Sequence, residues 1–448
     1  MFDMLKRKTV EEVLTVKEGE QLERKLGLIS LIFIGIGAII GAGIFIASGL
    51  AAAVAGPSVI VSFIIGAVIC GFISFCYAEL TSIVTVSGGI YAYAQITLGK
   101  LGAWLSGWIN MCMYVLVSAV VAIGWSQYFN GLLMNFGIVL PHFPIDVIAV
   151  LVTIGLTLLL ARGSQGGTML NNAIVILNIA IILIFGVIGG LYVNPANFIP
   201  FAPLGITGIF VGTAMVFFAF TGFDAVASAA EEAKNPKRNL PLGIILSLLI
   251  SSVLYILVAV VLVGLTSYTG FIGQAVPIQY AMQVSGLGWL MNIVTVGVLA
   301  GLTTTLLVAL YVAPRTMFAM ARDNLLPSKL GELSKKYNSP TYSVLLVGIV
   351  AAIIAGIAPI SQVFEVVNIF TLGVFMLVGI MTILLRRQRP DLEIPFPVPL
   401  YPWIPIAAII GCLGLATQLS LLSIGMFIGW LILGILIFIG FQWYRERR

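Results

Sequence analysis

Twelve apolar segments, each long enough to cross a lipid bilayer as a helix, account for most of this 448-residue chain. A helical crossing requires about 20 predominantly apolar residues. The segments are 28–53, 58–83, 101–133, 145–161, 169–192, 208–230, 240–266, 289–319, 341–358, 362–385, 403–420 and 424–441. Only 9% of the residues are charged, whereas soluble domains carry about 25%. The sequence therefore excludes a soluble globular protein and predicts an all-α integral membrane protein with 12 transmembrane helices.

The distribution of basic residues predicts which side of the membrane each connection faces. All 22 Lys and Arg residues lie in or next to the N-terminal segment, alternate connections or the C-terminal tail. The intervening connections, such as 134–144 and 193–207, contain none. Because Lys and Arg are retained on the cytoplasmic side, we expect both termini to be cytoplasmic. The same distribution accounts for the net charge of +5 without a nucleic-acid partner.

Two segments contain residue clusters that predict an interruption of the helix. The first cluster, residues 35–45, carries four glycines, and the second, residues 217–224, reads FFAFTGFD. Unwound backbone at membrane depth is tolerated where it is buried in protein or lines a cavity. The second cluster lies five segments after the first, so a repeated five-segment unit would insert upside down, as in transporters with inverted repeats. Alternatively, glycines such as Gly37 and Gly41 allow close helix packing, and that interpretation stays open.

Two interrupted helices offer backbone groups that suit a substrate with both a positive and a negative charge. Amides at the start of a half-helix attract a carboxylate, and carbonyl groups at the other break accept from an ammonium group. Neither contact needs a charged side chain, which is costly at membrane depth. The candidate substrate-binding residues are Ile39, Ile40, Gly41, Ala42, Gly43, Phe218, Ala219, Phe220 and Thr221.

The chain resembles the amino acid–polyamine–organocation (APC) superfamily of permeases over nearly its full length. The resemblance rests on segments 37–45, 55–58, 76–80, 218–224, 231–236 and 321–327, and it is greatest to bacterial permeases similar to cationic amino acid transporters. It implies amino acid transport by alternating access and a leucine-transporter-like fold with a 5+5 inverted repeat plus two helices. The implied units are a cytoplasmic segment 1–27, the repeats 28–207 and 208–400, and a C-terminal part 401–448.

Gating residues are predicted among the few polar or aromatic groups of the segments. Glu79 lies near the inner end of the second segment, and Asp224 directly follows the second cluster. Asp224 is at a position to cap the following half-helix. Phe218 and Phe220 are candidates for an aromatic gate over the substrate.

A coupling-ion site is conceivable where some relatives carry a lysine, at the position aligned with Asn178. Asparagine cannot titrate, but its carbonyl oxygen can accept a donor or ligate a cation. Oxygen ligands suit hard cations, so sodium could bind the Gly37 and Ile40 carbonyls with the hydroxyl of Thr304 or Thr305. Hydroxyls bonded within their own helix, uncoupled uniport and exchange are the alternatives.

The remaining features narrow the substrate and exclude other protein classes. Segment 111–114 reads MCMY and lacks the acidic residue that relatives with cationic preference can carry there. We therefore expect a neutral amino acid of small to medium size, with a cationic amino acid or polyamine as the alternative. Intramembrane protease motifs are missing, so we expect no enzyme, and no cofactor. A prokaryotic plasma membrane is the expected location, and an accessory subunit is not decided by the sequence.

Overall fold

The structure, a computed structural model, describes residues 7–14, 24–86, 88–141, 143–163, 167–334, 337 and 339–446. Within these residues the backbone is helical, and extended segments pair only at one parallel bridge between Leu26 and Ala233. The all-α prediction is therefore confirmed for this part of the chain. Of the predicted terminal regions, residues 1–6, 15–23 and 447–448 lie outside it.

The α-helices of the described residues follow the apolar segments closely. They are α1 Val10–Leu14, α2 Leu28–Ile39, α3 Ser48–Ala55, α4 Val59–Ile83, α5 Ile90–Thr97, α6 Gly99–Asn135, α7 Val147–Ala161, α8 Gly167–Gly190, α9 Gly205–Val216, α10 Ala225–Ser228, α11 Pro236–Leu265, α12 Pro277–Val284, α13 Gly288–Arg322, α14 Thr341–Ile357, α15 Ile360–Gln388, α16 Trp403–Ala416 and α17 Leu421–Glu446. The first predicted segment corresponds to α2 and α3, the sixth to α9 and α10, and each of the others to one helix. The two segments predicted to be interrupted are thus the two that divide.

Eight helical stretches of the described residues are long and apolar enough to cross a membrane. One of them, Leu28–Ile83, contains the first two predicted segments, which part at Gly56, whose φ is +66°. Three apolar helices, α7, α14 and α16, are shorter. Large apolar side chains also point away from the protein, for example Leu421 at 88% exposure on α17. Such a surface requires lipid around it, so the protein is a membrane protein.

The two interrupted segments lie inside the bundle. Helix α11 packs against α2 and α4, while the two longest helices, α6 and α13, pack against each other. Helix α15 packs against α4 and α6. As a result, Ile40 and Phe217, one in each interruption, are fully buried.

At one end of the bundle, several basic residues connect separate parts of the chain. Lys8 Nζ lies 2.7 Å from Asp323 Oδ1, just beyond α13. Arg315 Nη2 lies 3.1 Å from Glu232 Oε1. At the same end, the bridge from Leu26 to the connection after α10 consists of two backbone hydrogen bonds of 2.8 and 2.9 Å. The segment before α2 is thereby joined to the connection after α10.

A buried ion pair joins α4 to α15 at this end. Glu79 is fully buried, and its carboxylate accepts from Arg386 Nε at 2.8 Å and from Arg386 Nη2 at 2.5 Å. The backbone N–H of Val398 donates to the same carboxylate at 2.6 Å, and the Arg386 guanidinium lies 4.2 Å from the Tyr401 ring centroid. Glu79 therefore fixes the C-terminal end of α4 against α15 and the connection that precedes α16.

We expect Glu79→Gln to lower the free energy of unfolding by about 3 kcal/mol, because truncating a buried pair strands the partner's charge. The effect should lie at the low end of the usual range since the Arg386 side chain is 20% exposed. Thermal unfolding of the purified protein in detergent measures it. Asp391→Asn removes a carboxylate of an exposed pair with Arg389 and should change little. Equal shifts for the two variants would contradict the structural role of Glu79.

Candidate functional site

The first segment is interrupted where its glycine cluster predicts. Regular bonding in α2 ends with the Ile40 N–H donating to the Ile36 carbonyl at 2.8 Å. It resumes with the Phe45 N–H donating to the Gly41 carbonyl at 3.2 Å, followed by a π-helical turn, Gly43–Ala47. The amides of the first turn of a helix have no acceptor within it. This places the predicted amides of residues 41–43 at the beginning of a half-helix.

The second interruption is longer and includes a backbone conformation that favours glycine. Helix α9 ends at Val216, and a 3-10 turn, Phe217–Phe220, follows. Thr221 is extended and Gly222 has a φ of +122°, which L side chains rarely adopt. The four-residue helix α10 then begins at Ala225. The α-helix is therefore interrupted across the whole predicted cluster, residues 217–224.

The two interruptions touch each other. A Cβ atom on Gly43 would overlap the Cα atom of Ala219, and one on Gly222 would lie 2.7 Å from the carbonyl carbon of Ala38. Both glycines thus allow backbone to approach backbone. Close packing by small residues was the alternative to a helix interruption. Here the close packing and the interruption occur together.

Tyr255 of α11 holds the two interruptions together. Its buried hydroxyl contacts the Ile39 carbonyl at 2.6 Å and the Ala219 carbonyl at 2.9 Å. The Phe218 carbonyl accepts from the Thr221 N–H at 2.9 Å. Two of the three carbonyls expected to bind an ammonium group therefore already have a partner. Each carbonyl oxygen keeps a second lone pair.

A small cavity lies between the interruptions. It offers about 10 Å³ to the centre of a water-sized sphere, which is roughly the space for one water molecule. An amino acid would need the surrounding helices to move apart. The cavity carries no charged side chain. Its lining is Ala38, Ile39, Ala42, Gly43, Tyr114, Val117, Phe218, Thr221, Gly222, Thr305, Val308 and Ala309.

The cavity includes some predicted substrate residues and not others. The predicted substrate residues that line the cavity are Ile39, Ala42, Gly43, Phe218 and Thr221. The remaining predicted residues are Ile40, Gly41, Ala219 and Phe220, which do not line it. Sequence reasoning missed the contributions of α6 and α13, which supply Tyr114, Val117, Val308 and Ala309. Val117, Val308 and Ala309 are small or β-branched residues on long helices, and such residues carry no signal that distinguishes a cavity wall from ordinary packing.

The two predicted gate phenylalanines differ in their surroundings. Phe218 borders the cavity, and its ring packs edge-on against Phe364 of α15 with centroids 5.2 Å apart. Phe220 is fully buried and packs against Phe63 and Tyr255. Phe220 therefore anchors the interruption to α4 and α11 and does not border the cavity.

Asp224 occupies the N-cap position of α10, but its side chain makes no capping bond to that helix. Instead it turns back and accepts from the Gly222 N–H at 3.1 Å and from the Tyr114 hydroxyl at 2.7 Å. The expected capping role is therefore wrong. Because Tyr114 belongs to α6 and borders the cavity, Asp224 links the second interruption to the opposite wall.

The residues proposed for a coupling ion come partly together. The Thr305 hydroxyl lies 3.1 Å from the Gly37 carbonyl and 3.2 Å from the Ile40 carbonyl. Thr304 instead donates to Gly301 within its own helix. One of the two predicted hydroxyls thus reaches the first interruption.

Asn178 of α8 packs against Gly301 of α13, which lies one turn before Thr305 on the same face of that helix. A Cβ atom on Gly301 would lie 2.9 Å from Asn178 Cγ and 3.1 Å from Phe45 Cε2. The side chain is 2% exposed, and its Oδ1 has no hydrogen-bond partner among the described residues. The position between the first, fifth and eighth segments agrees with the sequence-based expectation.

Comparison with known proteins points to one family. A model of the family described as "Amino acid permease" matches residues 26–441. The branched-chain amino acid permease BcaP of Bacillus subtilis is 38% identical, over 97% of each chain. The methylthioribose transporter of the same organism is 38% identical, over 98% of this chain and 97% of its own. The vacuolar cationic amino acid transporter 4 of Arabidopsis thaliana is 36% identical, over 87% of this chain and 68% of its own.

We expect Tyr255→Phe to lower the free energy of unfolding by about 1–3 kcal/mol, because it removes the one hydroxyl proton that the buried Ile39 and Ala219 carbonyls share. Thermal unfolding in detergent measures the change. Tyr192→Phe is a matched control, since that ring is 49% exposed at the end of α8. An unchanged melting temperature for Tyr255→Phe would show that its hydroxyl does not hold the interruptions together.

Proposed function

Since this chain belongs to the amino acid permease family, we propose that it moves a neutral amino acid of small to medium size across the plasma membrane by alternating access. The substrate occupies the space between the two helix interruptions. The observation that carries the proposal is the cavity there, which joins half-helix amides to an uncharged lining.

The proposed architecture is a leucine-transporter-like fold with twelve crossings. It consists of the inverted repeats 28–207 and 208–400, followed by the last two helices in 401–448. The division of the first and sixth segments supports the repeat, because these are corresponding members of the two halves. The basic residues clustered at one end support cytoplasmic termini.

In the proposed complex, backbone groups hold the two charges of the amino acid. Its carboxylate accepts from the amides of Gly41, Ala42 and Gly43, at the positive end of the half-helix dipole. Its ammonium group donates to the carbonyl of Thr221, while Phe218 and Ala219 contribute their remaining lone pairs. Ile39 and Ile40 flank the carboxylate through the adjoining backbone.

The uncharged lining supports a neutral, aliphatic side chain for the substrate. Val117, Val308 and Ala309 offer apolar contact, and the cavity wall contains no carboxylate to pair with a basic side chain. A buried cation without such a partner would be strongly disfavoured. The name of BcaP, a branched-chain amino acid permease, points the same way. A cationic amino acid or polyamine, which the name of the Arabidopsis relative suggests, fits this lining less well.

The proposed gates lie on the two sides of the cavity. Phe218 closes over the substrate, and Asp224, bonded to Tyr114, keeps the second interruption against α6. At the basic end, Glu79 and its partner Arg386 hold the cytoplasmic exit closed. The cavity is too small for an amino acid, so opening proceeds by rocking α2–α4 and α9–α11 against α6, α7, α13 and α14.

A sodium ion is the coupling substrate that the available donors suit best. The Gly37 and Ile40 carbonyls, the Thr305 hydroxyl and the unpartnered Asn178 Oδ1 are all oxygen donors on neighbouring helices, as hard cations require. Thr304 contributes only by shaping its own helix. Exchange or uniport without an ion is the alternative mechanism.

We expect Gly43→Leu to abolish saturable uptake, because its side chain would occupy the place of the carboxylate and overlap Ala219. The measurement is uptake of radiolabelled leucine into proteoliposomes, with counterflow from leucine-loaded vesicles to identify a carrier. Gly429→Leu is the control, since that glycine on α17 has open space around it. Normal uptake by a correctly inserted Gly43→Leu protein would falsify the substrate site.

An inward sodium gradient should stimulate leucine uptake by the wild-type protein. Thr305→Val should remove the stimulation, because it deletes the hydroxyl oxygen shared by the two carbonyls. Thr304→Val, whose hydroxyl bonds only within its own helix, should retain it. Uptake is compared under imposed sodium and pH gradients. Indifference to both gradients would replace the sodium proposal with exchange or uniport.

A further inference from the structure

We propose that Asn368 of α15 is a positioning residue that sets where the second interrupted helix unwinds and holds Phe218 at the substrate cavity. This inference rests on the proposed substrate site. Sequence analysis singled out neither Asn368 nor any other residue of α15 as part of a binding site.

The side-chain amide of Asn368 is inserted into the backbone ladder of the sixth segment. Its Oδ1 accepts from the Phe218 N–H at 2.8 Å, and its Nδ2 lies 3.5 Å from the Met215 carbonyl. The same Nδ2 donates to the Phe364 carbonyl of its own helix at 3.0 Å. Asn368 itself is only 2% exposed, so water cannot substitute for these bonds.

The inserted amide replaces a bond that the helix would otherwise make with itself. In a 3-10 turn the Phe218 N–H would donate to the Met215 carbonyl, three residues earlier. In an α-helix it would donate to the Ala214 carbonyl. Here the Asn368 amide lies between residues 215 and 218 and serves both of them. Insertion of a side chain into the ladder is an established cause of sharp helix breaks.

The same helix also positions the ring of Phe218. Phe364, which packs edge-on against that ring, lies one turn before Asn368 on the same face of α15. Thus α15 contacts both the backbone and the side chain of the residue that borders the cavity. A third contact is weaker, because the hydroxyls of Thr221 and Thr371 are 3.5 Å apart.

The amide geometry distinguishes this role from simple packing. Leucine at position 368 fills a similar volume but offers no acceptor, so the Phe218 N–H would be buried without a partner. Aspartate keeps an acceptor oxygen at the same place. The gate should therefore be displaced in Asn368→Leu and largely retained in Asn368→Asp.

The test combines transport with hydrogen–deuterium exchange, using radiolabelled leucine and the full-length protein in proteoliposomes. We expect Asn368→Leu to raise the KM for leucine about tenfold, equivalent to about 1.4 kcal/mol, with a smaller change in kcat. Asn368→Asp should recover most of the affinity. Thr382→Val is the matched control, because the buried Thr382 hydroxyl donates to the Val378 carbonyl in α15 and contacts Cys76 of α4, away from the second interruption.

Exchange of the amides in residues 215–221 reports the position of the gate without any substrate. Faster exchange in Asn368→Leu than in Thr382→Val, with the higher KM, supports the proposal. Unchanged exchange, or a KM that rises equally in Leu and Asp variants, overturns it. If the Asn368→Leu protein does not insert into the membrane, the Asn368→Asp protein provides the test. Faster amide exchange in residues 215–221 of that variant also overturns the proposal. If the proposed substrate site is wrong, the Gly43→Leu protein takes up leucine normally. The difference in amide exchange between Asn368→Leu and Thr382→Val then remains.

Discussion

The structure depends on one constraint: backbone polar groups exposed by breaking a helix inside a membrane must find partners within the protein. Side chains from other helices meet that requirement at both interruptions. Tyr255 serves the Ile39 and Ala219 carbonyls, Thr305 serves Gly37 and Ile40, and Asn368 serves the Phe218 amide. Interrupted helices can therefore persist at the centre of the bundle.

Two of these partners, Tyr255 and Thr305, come from helices that would have to move against each other if the protein alternates its access. Tyr255 lies on α11, with the interrupted segments in the proposed moving group, whereas Thr305 lies on α13 in the opposing group. Bonds from Tyr255 therefore keep the two interruptions together as one unit. The Thr305 and Tyr114 bonds cross between the groups, as does the bond from the Tyr128 hydroxyl of α6 to the Phe45 carbonyl, so they are among those that would have to break or rearrange for the cavity to open.

Much of the fold could be predicted from the sequence because the membrane imposes length and polarity on each helix. All the predicted segments contain helix, and the helix is interrupted at both predicted clusters, residues 35–45 and 217–224. The site was predictable in part, since Gly43 and Phe218 belong to those clusters and border the cavity. The position of Phe220 away from the cavity was not predictable, because a ring direction depends on backbone dihedrals in an irregular turn, which no residue pattern specifies.

The sequence by itself determined that this chain is a helical membrane protein, where its helices divide and to which family it is similar. The first two properties follow from hydrophobicity and glycine placement, which are local, and the family similarity follows from matching segments such as 37–45 and 321–327. The tertiary structure decided which carbonyls already have donors, that Asp224 turns towards Tyr114, and that Asn368 enters the broken ladder. Those contacts join residues 110 and 150 positions apart, and such pairings arise only when the helices pack.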